Sequence, residues 1–144
     1  MTILSDTASI HRLLERVQRI AVLGIKMEPW QPAYYVPEYA IQAGLDVVPV
    51  PVYYPDVTEI MDRPVYRRLV DVPPPIDLVN VFRRSERVPE HLDDMLAAKP
   101  AAVWMQSGIW HDEVAAVLSA AGIEVVQNRC LMVELQRMGP RMRR

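Results

Sequence analysis

Residues 20–24 have the sequence Ile20-Ala21-Val22-Leu23-Gly24, a short apolar run that stops at a glycine. An apolar run with no polar alternation is typical of a strand covered on both faces, as in a parallel sheet. The run therefore predicts the first strand of a parallel β-sheet. By the same pattern, further buried strands are expected at residues 46–50, 78–82, 101–105 and 124–126.

Helical segments separate these strands. The N-cap residues Ser5 and Asp6 precede apolar side chains at i, i+3, i+4 and i+7, which predicts an amphipathic helix over about residues 6–17. Later helices are expected to end near residue 43 and to cover about residues 89–98, 110–121 and 131–138. The alternation predicts an α/β protein with a doubly wound, mostly parallel five-stranded sheet. We expect a single domain over residues 1–144, with its core at about residues 19–138.

The helix that ends before Gly44 has two possible starts. If it begins at Pro32, Pro37 lies just past the first turn and kinks it. If it begins at Pro37, the loop before it is unusually long. The sequence leaves both starts open. The proline-rich segment 51–75 is expected to be an irregular crossing rather than a separate domain.

Length and composition exclude several classes of protein. The chain has 144 residues, of which 51% are hydrophobic and 24% charged, as in one globular domain. No apolar run reaches the roughly 20 residues that cross a bilayer, and no signal peptide is evident, so we expect a soluble, cytoplasmic protein without a membrane partner. The net charge of −2 gives no bulk attraction to nucleic acid. A single cysteine, Cys130, allows no internal disulfide and disfavours zinc, and the histidines suggest no metal site.

Cationic residues follow the ends of the predicted strands. In an open α/β sheet, ligands bind outside the carboxyl ends of the strands, where the strand order reverses. Backbone N–H groups at Gly24 and Gly108, near helix N-termini, would favour phosphate at this edge. We therefore expect an anionic, phosphate-bearing ligand. The cations at this edge are Lys26, Arg83, Arg84 and Arg129.

The glycine pattern of ordinary dinucleotide sites is missing. G-x-G-x-x-G requires three glycines in the first turn, where this chain has only Gly24. The second strand leads into Pro51 and Val52, and no Asp or Glu is present there to bind a ribose hydroxyl. Ordinary NAD binding is therefore disfavoured.

Two side chains are candidates for catalysis. His111 precedes two acidic residues near a helix start, where it could act as a general base. Cys130 follows Arg129 near a helix N-terminus, a setting that lowers a thiol pKa. The commoner explanations are an acidic first helical turn and a cysteine that fills the core.

Three segments resemble the signatures of a known family. They are Val81-Phe82-Arg83-Arg84, then Val103-Trp104-Met105-Gln106 with Gly108, and finally Arg129-Cys130. Their order and spacing are similar to those of the small bacterial and archaeal CoA-binding proteins, and the resemblance covers about residues 20–137. More remotely, the chain resembles the CoA-binding domain of the succinyl-CoA synthetase α subunit. The resemblance implies a Rossmann-like fold with coenzyme A along the strand ends.

The resemblance also implies particular binding residues. They are Gly24, Ile25 and Lys26 in the first turn, Pro51 and Val52 after the second strand, Arg83 and Arg84 after the third, and Gln106, Ser107 and Gly108 after the fourth. The family often has a small hydroxyl residue in place of Lys26, so this chain exchanges a hydrogen bond for a charge contact. The family also has Pro-Val-Asn-Pro where this chain has residues 49–52, and loss of the asparagine removes amide groups near the expected nucleotide end.

Binding is the function that the sequence predicts. We expect a noncatalytic or regulatory module for coenzyme A or an acyl-CoA, because the phosphohistidine of the synthetases has no counterpart here. An enzyme that acts on a CoA thioester through Cys130 or His111 is the alternative, and another nucleotide-binding regulator is a third. The basic end, with Arg141, Arg143 and Arg144, is compatible with a homo-oligomer interface. No protein partner is indicated.

Overall fold

Six strands form one parallel sheet in the computed structural model, which describes residues 3–139. The predicted basic end, Arg141 to Arg144, lies outside the described residues. The elements of the sheet and its helices are β1 (Ile3–Leu4), α1 (Thr7–Arg16), β2 (Arg19–Leu23), α2 (Pro32–Gln42), β3 (Asp46–Val50), β6 (Leu78–Val81), α3 (Leu92–Ala98), β7 (Ala102–Met105), α4 (Asp112–Ala120), β8 (Glu124–Val126) and α5 (Leu131–Met138). A separate hairpin is formed by β4 (Glu59–Ile60) and β5 (Arg63–Pro64).

The sheet contains one strand more than the sequence predicts. In β1, Ile3 lies opposite Val125 and Leu4 lies opposite Val126, in parallel pairing with β8. Two residues directly before a helix are too few to show a strand pattern. This strand forms because β8 offers an edge with unpaired N–H and C=O groups.

The strand order reverses between β2 and β6. Across the sheet the order is β1-β8-β7-β6-β2-β3, so the chain first adds β3 on one side of β2 and later adds β6 on its other side. Sheets of this doubly wound, Rossmann-like type have a crevice at the reversal, outside the carboxyl ends of the two strands. The loops that begin at Gly24 and Phe82 border this crevice.

Helices cover both faces of the sheet. One core cluster joins β-strand side chains to α1, α2 and α5, and the other joins them to α3 and α4. Consecutive residues of β7 alternate between the two, since Trp104 belongs to the first cluster and Val103 and Met105 to the second. Burial on both faces explains the continuous apolar runs in the sequence. Within residues 3–139, no helix has the length and apolar character needed to cross a membrane.

Helix α2 begins at Pro32 and contains Pro37, which decides between the two starts that the sequence left open. Pro37 has no N–H, so the carbonyl of Ala33, four residues earlier, receives no bond from it. The N–H of Lys26 donates to this carbonyl instead, at 3.1 Å. The proline therefore leaves the Ala33 carbonyl free to accept the Lys26 N–H, and this bond ties the loop after β2 to the first turn of α2.

Two expected segments differ in detail. The segment 51–75 contains the β4–β5 hairpin and a short 3-10 helix at Leu69–Asp71, so it has more local order than the sequence indicates. The helix expected from about residue 89 is a 3-10 helix over Ser85–His91 that continues as α3. Pro89 lies inside the 3-10 helix, and its missing N–H is compatible with a helix start in this region.

Candidate functional site

A cleft of about 340 Å³ lies at the reversal of strand order. Its walls are the loops that follow β2, β6 and β7, together with the first turn of α2. Three cationic side chains contribute to these walls, which gives the cleft a positive character in a chain whose net charge is negative. The lining residues are Lys26, Gln31, Pro32, Ala33, Phe82, Arg83, Arg84, Gln106, Ser107, Gly108 and Ile109.

The structure brings together most of the residues that the sequence singled out. Ile25, however, is buried in the core and does not line the cleft. Pro51 is also buried, and Val52 packs against the core cluster beside α3 and α4, outside the cleft lining. Tyr53 is the residue of this segment that reaches the cations of the cleft. The predicted residues that line the cleft are Lys26, Arg83, Arg84, Gln106, Ser107 and Gly108.

Gly24 allows two loops to touch. Its φ is +89°, and a Cβ at this position would lie 2.2 Å from the carbonyl oxygen of Phe82. No L-residue fits such a close approach without a backbone shift. The Gly24 N–H donates to the carbonyl of Val50 at 2.9 Å, so it extends the sheet ladder. Gly24 is therefore a packing residue that sets the distance between the β2 and β6 loops.

The loop after β7 is held by side chains of its neighbours. The Gly108 N–H donates to Asn128 Oδ1 at 2.7 Å, and the His111 N–H donates to Gln127 Oε1 at 2.7 Å. The Trp110 N–H donates to Ser85 Oγ at 3.1 Å. The amides of Gly108, Trp110 and His111 are thus engaged within the protein, while the space above Gly108 is open.

The two adjacent arginines of the cleft are in different environments. The side chain of Arg83 is 10% exposed, and its Nε donates to His91 Nε2 at 3.1 Å. Its two terminal nitrogens make only long contacts, each of 3.5 Å, to the Tyr53 hydroxyl and to Glu90 Oε1. The side chain of Arg84 is 81% exposed and lies 3.8 Å from Glu86. Arg83 is therefore fixed, whereas Arg84 is free to reorient toward a ligand.

Tyr53 lies against two cations of the cleft. The Lys26 Nζ is 4.7 Å from the centre of its ring, and the Arg83 guanidinium carbon is 5.9 Å away. Both distances are in the range of cation–π attraction. A hydrogen bond from Arg83 and the charges of Arg83, Lys26 and Arg84 hold the pKa of the Tyr53 phenol below its ordinary value. The sequence analysis missed this residue, because an aromatic side chain after a strand gives no sign of what it faces.

His91 supports Arg83 as a neutral imidazole. Burial and then the nearby positive charge of Arg83 hold the pKa of His91 below its ordinary value of 6.5. The His91 Nε2 accepts the hydrogen bond from Arg83, so this nitrogen carries no proton in the observed arrangement. This hydrogen bond orients the Arg83 guanidinium.

A buried polar pair lies behind the cleft. The Asn80 Nδ2 donates to Gln106 Oε1 at 3.3 Å, and the same oxygen accepts the Leu131 N–H at 3.3 Å. Asn80 is fully buried, and within residues 3–139 its Oδ1 has no hydrogen-bond partner. Gln106 therefore links the cleft to the start of α5 through a polar layer in an otherwise apolar core.

Arg129, which the sequence places at the same edge, belongs to a different cluster. Its guanidinium contacts the buried Glu134 at 3.4 Å and donates to the carbonyl of Ser5. Glu134 also contacts His11 at 3.1 Å and Arg137 at 3.2 Å. We name Glu134, His11, Arg129 and Arg137 the Glu134 cluster. It connects α1 and α5, so Arg129 serves the fold.

The two candidates for catalysis occupy helix starts. His111 is the N-cap of α4, and its Nδ1 accepts the Val114 N–H at 3.2 Å. Cys130 is the residue before α5 and packs against the core cluster on that face. Within residues 3–139 there is no group of three or more His, Cys, Asp or Glu side chains placed to hold a metal ion.

The fold and the cleft define a Rossmann-like α/β domain with a cationic cleft at its topological switch point. The chain belongs to the CoA binding domain family, whose sequence profile matches residues 18–136. The expected family and fold class are thereby confirmed, with six strands in place of five.

Two solved structures and one further protein are similar to this chain. A protein of Thermus thermophilus, cell-free ID.343, is 38% identical, and its structure covers 93% of this chain and 99% of its own, with a TM-score of 0.85. The uncharacterized protein YneT of Bacillus subtilis strain 168 is 32% identical over 126 residues, 88% of this chain and 91% of YneT. Acetyl-coenzyme A synthetase 1 of Ca. Korarchaeum cryptofilum shares the fold at 20% identity and a TM-score of 0.68, over 78% of this chain and 26% of its own.

Proposed function

We propose that this chain binds coenzyme A or an acyl-CoA in the cleft between the β2 and β6 loops, as a noncatalytic binding or regulatory module. The phosphate groups of the ligand lie against Lys26, Arg83 and Arg84. Membership of the CoA binding domain family supports the ligand. The charge and position of the cleft support the site.

The observation that carries the proposal is the convergence of three cations on one cleft. The carboxylates next to these cations are exposed and make long contacts. Glu90 lies 3.5 Å from Arg83, and Glu86 lies 3.8 Å from Arg84. They therefore compete weakly with a phosphate for the arginines. Glu90 makes its short contact, 2.6 Å, with Arg87. The cleft therefore has positive charge that a polyphosphate can neutralise.

The loop after β7 leaves room for a ligand. Gln106, Ser107 and Gly108 of this loop line the cleft, and a Cβ at Gly108 would meet no atom within 4 Å. A long molecule can therefore pass over Gly108 without meeting a side chain at that position. The neighbouring Ser107 hydroxyl offers a hydrogen bond to an amide group of a pantetheine arm, whereas Gln106 Oε1 already accepts bonds from Asn80 and Leu131.

Neither candidate catalytic residue lines the cleft, which favours binding over catalysis. The Nδ1 of His111 is engaged in capping α4. Cys130 is half-buried, packs against the core face and lines a separate pocket beside Arg129. A thioester hydrolase would need one of these groups directed at the reacting carbonyl. Incubation of the purified protein with acetyl-CoA is expected to give neither hydrolysis nor acyl transfer above background. Turnover that disappears on replacing Cys130 or His111 would support the enzymatic alternative.

Calorimetry with coenzyme A tests the proposal. Charge-assisted hydrogen bonds to phosphate contribute about 1.5–3 kcal/mol each, so the double variant Arg83→Gln, Arg84→Gln is expected to lose at least tenfold in affinity. Arg16→Gln is the matched control, because Arg16 pairs with Glu124 at the start of β8, at the opposite edge of the sheet. Equal affinity of the double variant and the parent would refute the site.

A ligand panel tests the choice of ligand. Stabilisation by a ligand follows mass action, so the rise in Tm reports relative affinity at one concentration. Coenzyme A is expected to raise Tm more than ADP or NAD does at the same concentration. A larger rise with either of these nucleotides would favour the third possibility, a different nucleotide-binding regulator.

A further inference from the structure

Tyr53 is held on a fixed support at the edge of the cleft. Arg67 donates to the carbonyls of Tyr53, Tyr54 and Val57, at 3.1, 2.7 and 2.8 Å. These three bonds fix the backbone of the loop after β3. The ring of Tyr53 is nevertheless 53% exposed, so it is not part of the core.

The neighbouring residue strengthens this support. The Tyr54 hydroxyl accepts the Met27 N–H at 3.1 Å and donates to Glu28 Oε1 at 2.8 Å. The loop after β3 is therefore fastened to the loop that contains Lys26. These contacts, which lie outside the cleft, fix the position of the Tyr53 loop relative to the Lys26 loop.

Two cations from different strand ends meet at the Tyr53 ring. Lys26 follows β2 and Arg83 follows β6, and their positive groups lie 4.7 and 5.9 Å from the ring centre. Two like charges at one cleft repel each other, and a lysine side chain is otherwise among the most mobile. The electron-rich face of an aromatic ring attracts both charges without carrying a formal charge itself.

We propose that Tyr53 is a positioning residue, whose ring holds Lys26 and Arg83 ready for the phosphates of the ligand. The inference rests on the proposed function. Because the two cations are ordered before the ligand arrives, binding does not have to immobilise them. A carboxylate in place of the ring would also attract them, but it would form ion pairs and compete with the phosphates.

Three substitutions separate these roles. Tyr53→Phe keeps the ring and loses only the long hydrogen bond, 3.5 Å, from Arg83 to the hydroxyl, so it is expected to change the affinity for coenzyme A by less than about twofold. Tyr53→Leu removes the ring and is expected to weaken binding by about three- to tenfold, the cost of ordering one long side chain. Tyr53→Glu is expected to weaken binding more than Tyr53→Leu does, because its carboxylate competes. Tyr35→Leu is the control, since Tyr35 is exposed on α2 and does not line the cleft.

NMR of the ligand-free protein reports the chemical shifts of the Lys26 protons, which a general loss of stability would not change. The ring current of Tyr53 is expected to shift the ε-methylene protons of Lys26 upfield in the parent and in Tyr53→Phe. The same protons should return to ordinary lysine values in Tyr53→Leu. Addition of inorganic pyrophosphate to the parent should also move these signals.

The affinity measurements and the NMR measurements distinguish failure of the positioning role from failure of the proposed function. If the parent binds coenzyme A and Tyr53→Leu binds it equally well, the positioning role is overturned while the proposed function stands. The role is also overturned if the Lys26 signals are the same in the parent and in Tyr53→Leu. If the parent binds no coenzyme A, the proposed function falls. Pyrophosphate then tests the positioning role separately, and Lys26 signals that do not move when pyrophosphate is added overturn that role.

Discussion

The cations at the carboxyl edge of the sheet fall into two clusters that differ in what they surround. In the cleft, Lys26 and Arg83 lie against the half-exposed ring of Tyr53. In the Glu134 cluster, Arg129 and its partners enclose a carboxylate that is 3% exposed. A buried carboxylate commits its cations to the fold, because separating them would leave an uncompensated charge. Cations that face a neutral ring remain available to an anionic ligand.

The largest expected effect is on the buried carboxylate. Glu134→Gln removes the charge that His11, Arg129 and Arg137 share. The two arginines are 28% and 59% exposed and can be solvated once that charge is gone, so the expected cost is about 1.5–3 kcal/mol, as for hydrogen bonds to a charged group. Urea unfolding should show this loss in the free energy of unfolding. The affinity for coenzyme A, measured by calorimetry on the folded variant, should stay within about twofold of the parent. A loss of affinity as large as that of the double arginine variant would mean that the two clusters are not independent.

Exchange of one arginine in each cluster should give opposite results. Arg84→Gln alters an exposed side chain, so the free energy of unfolding should change by less than about 0.5 kcal/mol. Its affinity for coenzyme A should fall by roughly fivefold, as expected for one partly solvated phosphate contact of about 1 kcal/mol. Arg129→Gln should lower stability and leave affinity unchanged. The contrast between the clusters is wrong if both variants lose affinity equally.

The smallest expected effect concerns protonation of His91. Its folded pKa lies below the ordinary 6.5, so as the pH falls below 6.5 the unfolded chain takes up a proton before the folded one. The stability that neutral His91 contributes is therefore present above 6.5 and is lost as the pH falls toward the folded pKa. NMR titration should give a pKa below 6.5 in the free protein and a higher value with coenzyme A, because phosphate offsets the charge of Arg83. An unchanged His91 titration at saturating coenzyme A would contradict contact between phosphate and Arg83.

Burial made the fold predictable. The apolar runs at residues 20–23, 46–50 and 78–82 follow from coverage on both faces, and their ends agree with the observed strands within one residue. β1 was missed because Ile3 and Leu4 form a strand only through β8, which is distant along the chain. Local pattern carries no information about such a partner.

The site was predictable only in part, because a cation at a strand end has no visible partner in the sequence. Arg83 and Arg129 have equivalent positions in the pattern, yet one lines the cleft and the other contacts Glu134. That choice depends on a carboxylate from α5 reaching the end of β8. Tyr53 was missed for the same reason, since its contacts with Lys26 and Arg83 join three different loops.

The bond between the Lys26 N–H and the Ala33 carbonyl has a consequence for protein engineering. Replacing a proline inside a helix by alanine is a natural route to a more stable protein. At position 37, the new alanine N–H would share the Ala33 carbonyl with the Lys26 N–H, which weakens the bond that ties the Lys26 loop to helix α2. A gain in helix stability at this position therefore comes with a looser hold on the loop that carries Lys26, and a screen for melting temperature alone would not report that change in the cleft.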